Sequence, residues 1–232
     1  MIPWQVSLRL PDTNWHYCGG IILDSKTVLT AAHCNPWVGD KVYIGNPNRN
    51  YGGKNILIQR VIKNRYKPFN ESSLEHDVLI IKLNKSIKFS HKVRPVCLPS
   101  HHYKPQMKDI CYVSGWGVKS DTNPTASLWL MYNKMKILSN DKCRALYYWI
   151  ENYGYKITKD MLCANSEDGV AVSGAGACYG DSGGPLVCLE DGKPVIAGIV
   201  SFGYGCGRAY SPGVYARVTS YRRFIRASMK KK

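Results

Sequence analysis

Nine cysteines, Cys18, Cys34, Cys97, Cys111, Cys143, Cys163, Cys178, Cys188 and Cys206, constrain this 232-residue chain more than any other feature. No two are spaced as C-x-x-C, the arrangement of structural zinc sites and redox dithiols, so neither chemistry is indicated. Thiols spread this widely read as disulfides, which persist in oxidising compartments. Nine is odd, so at least one cysteine lacks a partner within the chain. Hydrophobic residues make up 44% of the chain, which suits a folded globule. No apolar run approaches the roughly 18 residues of a membrane helix. The start, Met1-Ile2-Pro3-Trp4-Gln5, lacks the apolar stretch of a signal peptide. The length allows one large all-β domain or two small units around a shared core.

The pattern along the chain is that of β-structure. Gln5–Leu10 alternates and then turns at Pro11-Asp12-Thr13-Asn14. Gly20–Leu23 and Thr27–Thr30 are short apolar runs parted by the polar turn Asp24-Ser25-Lys26. Further strands are expected at Lys41–Gly45, Asn55–Ile62, Val78–Leu83, Lys108–Trp116, Trp129–Leu138, Pro185–Cys188 and Pro194–Ser201. Short strands separated by Gly, Pro and Asn suit barrels or sandwiches, and no βαβ rhythm is visible. Val96–Gln106, with Pro99 and Pro105, reads as a connector between two sub-domains. Tyr221–Lys231 carries Phe224, Ile225 and Met229 at helical spacing among basic residues, which predicts a basic C-terminal helix.

Gly180-Asp181-Ser182-Gly183-Gly184-Pro185 is the sharpest chemical signal. Glycines this dense around a serine mark backbone that turns tightly and approaches a ligand closely. The N–H groups of Gly180 and Ser182 can converge on one oxygen, which stabilises the charge that develops in acyl transfer. A plain turn between strands is the other reading of the same residues. His33, in Thr30-Ala31-Ala32-His33-Cys34, can serve as the base a serine needs, or as a structural histidine. Asp77 opens the apolar run Val78–Leu83, where a buried charge is costly unless used. A carboxylate there can fix a histidine tautomer and stabilise its imidazolium; a strand-edge aspartate in a turn is the alternative.

Together with Ser201-Phe202-Gly203 and Pro212-Gly213-Val214-Tyr215, these segments resemble the trypsin/chymotrypsin family of serine endopeptidases over nearly the whole chain. The order of His, Asp and Ser is that of the family. The resemblance implies an all-β, chymotrypsin-like fold: two six-stranded antiparallel β-barrels and a C-terminal helix. One serine protease domain would span 1–232, with sub-barrels at about 1–103 and 104–218 and the helix at about 219–230. By the same resemblance Ser182 attacks the peptide carbonyl, His33 is base then acid, and Asp77 orients it. Gly180 and Ser182 form the oxyanion hole, and Ser201 hydrogen-bonds Asp77.

The family's specificity pocket maps to Gly176, Ala177, Ser201, Gly203 and Gly213. Members that cleave after Arg or Lys carry aspartate at the floor, where this chain has Gly176. A basic substrate side chain would lose its hydration without gaining a counter-ion. The expectation is therefore cleavage after large apolar residues, Phe, Tyr, Leu or Met, with Tyr179 and Phe202 adding aromatic surface. Only a distant acid such as Glu190 could favour a basic side chain.

The resemblance also implies disulfides Cys18–Cys34, Cys111–Cys188, Cys143–Cys163 and Cys178–Cys206. It leaves Cys97 to tether an upstream chain, with a buried free thiol as the alternative. Mature family members begin with an Ile-Val-Gly-Gly-like segment upstream of Pro3-Trp4-Gln5-Val6-Ser7-Leu8. Its α-amino group pairs with the aspartate that is Asp181 here. Because the motif starts almost at residue 1, the expectation is a truncated, weakly active chain with Asp181 unpaired and its loop collapsed as in a zymogen. The alternative is an inert protease-fold module that binds proteins or anionic glycans.

Thirty-two Lys and Arg against 16 Asp and Glu give a net charge of +16. The excess gathers at Arg217, Arg222, Arg223, Arg226 and Lys230-Lys231-Lys232, and again at Lys63, Arg65 and Lys67. This is a solvated basic face or a seat for sulfated glycans or anionic surfaces; no nucleic-acid motif is present. No cofactor or metal is called for, since Gly45–Lys54, where the family's calcium loop falls, has no acid. Asn70-Glu71-Ser72 and Asn84-Lys85-Ser86 match the N-glycosylation pattern. The implied partners are polypeptide substrates and protein protease inhibitors, and the implied location is extracellular.

Overall fold

Side chains that alternate between two apolar environments close two barrels. The computed structural model describes residues 2–120, 123–151, 156–166, 176–206 and 210–231. In it β1 (Gln5–Arg9), β2 (His16–Ile22), β3 (Thr27–Thr30), β4 (Lys41–Ile44), β5 (Lys54–Lys63) and β6 (Leu79–Leu83) form one closed antiparallel barrel, in the order β1-β2-β3-β6-β5-β4. After β7 (Cys111–Gly115), β8 (Val118–Ser120) and β9 (Asn123–Ala126) make a separate two-stranded ribbon. β10 (Met131–Leu138), helix α1 (Asn140–Glu151), β11 (Met161–Ser166), β12 (Pro185–Glu190), β13 (Lys193–Phe202) and β14 (Gly213–Arg217) follow. The second barrel closes as β10-β11-β14-β13-β12-β7, and α2 (Val218–Met229) ends the fold.

β6 shows why these strands read as continuous apolar runs. Leu79, Ile81 and Leu83 fill the first barrel with Val6, Leu8, Val28 and Ile58. Ile80 points the other way, into a cluster with Ile196, Ile199, Val218, Tyr221 and Ile225 that joins the second barrel and α2 to the first. Lys82 shares that outer face, and its Nζ donates to Thr27 Oγ1 at 2.8 Å and to the Met229 carbonyl at 2.9 Å, at the end of α2.

Several elements differ from the sequence expectation. α2 starts at Val218, ahead of the Tyr221 that the apolar spacing marks and close to the 219 that the family resemblance implies, because Val218 and Tyr221 bury a first turn against the inter-barrel cluster. α1 was not anticipated. Ser139 Oγ accepts the Lys142 N–H and caps it, and Cys143 and Tyr147, one turn apart, are its buried face. β11 and β14 were not anticipated either; they pair with each other and complete the second barrel.

Disulfides join Cys18 to Cys34, Cys111 to Cys188, Cys143 to Cys163 and Cys178 to Cys206. Cys97 is free and exposed, which corrects the buried-thiol alternative. Alternation is the cause: Val96 turns into the core, so Cys97 turns outward. Among the described residues no helix is long and apolar enough to cross a membrane.

Candidate active site

β3 and β6 are antiparallel neighbours, with Thr30 opposite Leu79. The chain leaving β3 therefore passes the chain entering β6, and His33 meets Asp77. The Asp77 carboxylate is 1% exposed and fully engaged. Its Oδ1 accepts the His33 backbone N–H at 2.9 Å, and its Oδ2 lies 2.6 Å from His33 Nδ1. Ser201, on β13 of the other barrel, donates its hydroxyl to the same Oδ2 at 2.5 Å. An acceptor at Nδ1 holds the proton there and leaves Nε2 as the basic nitrogen. The ring is 26% exposed, so that nitrogen can be reached from solvent. A cavity of about 490 Å³ runs beside it, lined by Asn64, Phe69, Glu71, Leu74 and Val78 among others.

Ser182 stands on a tight loop between Cys178 and β12. The Asp181 N–H bonds the Cys178 carbonyl, Gly184 N–H the Asp181 carbonyl, and Gly183 N–H the Val200 carbonyl, each at 2.9 Å. The N–H groups of Gly180 and Ser182 have no acceptor among the described residues. Gly180 adopts φ +96, a conformation that side-chain-bearing residues rarely take. The Ser182 carbonyl accepts from Gly19 N at 2.7 Å. Gly19 follows Cys18, and Cys18 is bonded to Cys34, next to His33, so the serine loop is tied to the histidine loop. Among the described residues, no hydrogen bond joins Ser182 to His33.

Asp181, beside the serine, is buried. Its Oδ1 accepts from Gly117 N at 2.8 Å and its Oδ2 from Cys178 N at 3.0 Å. Burial outweighs those two donors and pushes the carboxyl up to about 6. From Gly176 onward the described loop turns around this carboxylate.

Of the sequence-mapped pocket positions, Ser201 lies on β13, Gly203 just after it, and Gly213 opens β14. A methyl group on Gly203 would lie 3.9 Å from Gly213 Cα, so the two glycines face one another. One on Gly213 would lie 3.0 Å from the Tyr215 hydroxyl, which is buried and has no hydrogen-bond partner among the described residues. Tyr147 donates to the Pro212 carbonyl at 2.6 Å, and its ring meets Phe202 edge-on at 6.3 Å. Gly176 and Ala177 are half-buried, and Tyr179 is exposed. Glu190 is at the far end of β12, where it accepts from Ser100 N. Sequence reasoning missed His16, whose Nε2 lies 2.9 Å from the Gly180 carbonyl oxygen across 164 residues of chain. No local signal marks it.

The sequence model of the trypsin family, described as "Trypsin", matches residues 1–225. The chain belongs to the trypsin family. Among solved structures it is similar to neuropsin, a serine protease expressed in the limbic system of mouse brain. The two are 34% identical with a TM-score of 0.84, over 99% of this chain and 95% of that one. This trypsin-family protein is a serine-type endopeptidase, and its Asp77–His33 pair is set between the two barrels as that chemistry requires.

Proposed function

We propose that Ser182 is the nucleophile. His33 takes its proton through Nε2 as Ser182 Oγ attacks the peptide carbonyl, and returns a proton to the leaving amine. Water then attacks the acyl-enzyme with His33 again as base. Asp77 holds the Nδ1 tautomer and stabilises the imidazolium, and Ser201 keeps the carboxylate in place. The carrying observation is that, among the described residues, the N–H groups of Gly180 and Ser182 are unclaimed in a loop where those of Cys178, Asp181, Gly183 and Gly184 are bonded. They suit an oxyanion, where one donor is worth roughly 3 kcal/mol of barrier.

The preferred residue before the scissile bond is large and apolar. Gly176, Ala177, Ser201, Gly203 and Gly213 bring no charge, while Tyr215, Tyr147 and Phe202 supply aromatic surface. Asp181 is the seat of an activating cation, an α-amino group, because among the described residues its buried carboxylate is met by backbone amides alone. Protein protease inhibitors would occupy the same cleft. The exposed Cys97 thiol is suited to a disulfide with a second chain, and the exposed Asn70 and Asn84 to glycans. Four disulfides favour an extracellular setting.

A peptide panel varied at the residue before the scissile bond tests this reading, together with a fluorophosphonate label. The expected label is on Ser182, absent in Ser182→Ala, with faster cleavage after Phe than after Arg. Labelling elsewhere removes Ser182 as nucleophile; faster cleavage after Arg removes the apolar pocket.

A second, anionic partner is supported by where the basic clusters lie. Lys67 Nζ lies 5.7 Å from the Tyr221 ring at the start of α2, and Lys82 bonds Met229 at its end. β5 and β6 share a buried cluster with α2, and Lys63, Arg65, Arg223, Arg226 and Lys230 are exposed on these elements or just beyond them, so the proposed seat spans both clusters. Arg217 and Arg222 are drawn out of that seat by bonds to backbone carbonyls, and Lys232 lies outside the described residues. A sulfated glycan suits such a surface.

A further inference from the structure

The hydrogen bond from His16 to Gly180 has a direction that can be traced to its source. The ring is 7% exposed, and burial presses its pKa down to about 4, so it is neutral at neutral pH. A neutral imidazole carries one N–H. The Gly180 carbonyl can only accept, so the proton is on Nε2 and Nδ1 must accept. Nδ1 faces Ser7 Oγ at 2.8 Å, so the Ser7 hydroxyl donates to it. That leaves the Ser7 lone pairs for Arg9, whose Nε donates to Oγ at 3.0 Å. Every donor in the chain Arg9, Ser7, His16, Gly180 is thereby fixed.

Arg9 is itself 5% exposed, at the end of β1. Its guanidinium lies 3.7 Å from the Tyr43 ring centroid, and a second nitrogen donates to the Arg49 carbonyl. The Tyr43 hydroxyl is within reach of the Asn48 and Tyr51 carbonyls at 2.8 and 2.6 Å and accepts from Gly53 N at 3.1 Å. The 46–53 loop is therefore folded over a buried cation, and among the described residues no carboxylate pairs with that cation. A hydrophobic side chain would fill this space at lower cost, since an unpaired buried charge is expensive. Of the cation's three contacts among the described residues, a ring face, a loop carbonyl and the Ser7 hydroxyl, the last alone leads toward the active site.

We propose that Arg9 is a positioning residue for peptide hydrolysis: through Ser7 and His16 it pins the Gly180 peptide, and it couples the 46–53 loop to the oxyanion donors. This rests on the reading of the Gly180 N–H as one of those donors. Gly180 has no side chain to hold its φ of +96, and an unrestrained glycine peptide rotates easily. The Gly180–Asp181 peptide is held at both ends, its carbonyl by His16 and its N–H by Cys178. Without Arg9 the Ser7 hydroxyl loses its fixed donor and can turn to accept from Nδ1–H. That tautomer leaves Nε2 without a proton for Gly180, and the carbonyl is released.

The test uses the full chain, with active sites titrated, in wild-type, Arg9→Met, Ser7→Ala and doubly substituted forms. A matched pair of peptide ester and thionoester reads the oxyanion hole, because sulfur accepts its hydrogen bonds poorly. Arg9→Met is expected to lower kcat roughly tenfold with KM little changed, as misplaced donors do. The double variant should be no slower than Ser7→Ala, since both break one relay. In ¹⁵N-histidine NMR, His16 should pass from the Nε2–H tautomer to a mixture in Arg9→Met. An unchanged kcat, additive losses or an unchanged His16 tautomer each overturn the relay. A wild-type enzyme that hydrolyses thionoester as fast as ester removes the oxyanion reading itself, whatever Arg9 does. Should Arg9→Met fail to fold, Arg9→Lys carries the same measurements, because one ammonium cannot reach Ser7 and the Arg49 carbonyl together.

Discussion

Asp181 sets burial against hydrogen bonding. Each backbone donor favours its ionised form, yet burial without a cation dominates, and the carboxyl titrates near 6 where an ordinary aspartate titrates at 3.8. Between those two values the folded chain holds more protons than the unfolded one, so stability from this group falls as pH rises. The benefit is complete below pH 3.8 and is lost through pH 6. A shift of this size corresponds to about 3 kcal/mol. His16 works in the opposite sense across nearly the same range. Its pKa is lowered from 6.5 to about 4, so the folded chain holds fewer protons there, and its contribution is lost as pH falls. A wild-type stability curve therefore sums two opposing slopes. The difference between wild type and Asp181→Ala cancels the histidine. Urea unfolding is expected to show that difference shrinking by about 2 kcal/mol from pH 4 to pH 7; a difference flat with pH would show that Asp181 titrates at its ordinary value. The same penalty at neutral pH is what a cation reaching Asp181 would relieve.

Turns, at the scale of elements, divide into those that only reverse the chain and those that seat chemistry. Asp191-Gly192 joins β12 to β13 with φ of +50 and +74, a two-residue hairpin turn, and a methyl group on Gly192 would meet nothing within 4 Å. Gly183 has a similar φ of +76, but a methyl group there would overlap Thr30 Oγ1 and stand 2.7 Å from the Gly19 carbonyl oxygen. Gly192→Ala should cost about 1 kcal/mol and leave turnover intact. Gly183→Ala adds overpacking of about 1–3 kcal/mol and should displace Ser182, cutting kcat further than stability explains. Urea midpoints and kcat on the two variants check this; equal effects would mean that the serine loop is not seated on β2 and β3. The distinction bears on what the sequence discloses. Ser182, His33 and Asp77 carry their signal in their neighbours, a glycine cluster or an adjoining apolar strand, and so are legible one segment at a time. His16 acquires its role only when β1 pairs with β2, Arg9 opposite His16, and the second barrel brings Gly180 to the ring. α1 was hidden for a related reason: its buried face is little more than Cys143 and Tyr147, too sparse a stripe to announce a helix before Cys163 is bonded to it.

Charge is a property of the whole molecule, and the fold decides which part of it can act together. A net +16 spread evenly would bind any polyanion weakly and without preference of place. The fold does otherwise. It retires Arg217 into bonds with the Met161 carbonyl and Asn140 Oδ1, pairs Lys67 with Asp160, and leaves Arg223 and Arg226 on α2, and Lys63 and Arg65 at the end of β5 and just after it, exposed. Those groups are two clusters in sequence, carried by elements that share the Ile80 cluster, and the proposed binding surface joins them. If the surface is the binding site, position must matter more than total charge. Heparin affinity of Arg223→Glu/Arg226→Glu should fall, and the slope of log affinity against log salt should flatten by roughly one to two. Lys108→Glu/Lys136→Glu changes the net charge equally, at exposed positions of the second-barrel half of the chain. It should stay close to wild type, with peptide hydrolysis unaffected in either pair. Equal weakening by both pairs would assign heparin retention to net charge alone, and no organised surface would then be needed to explain it.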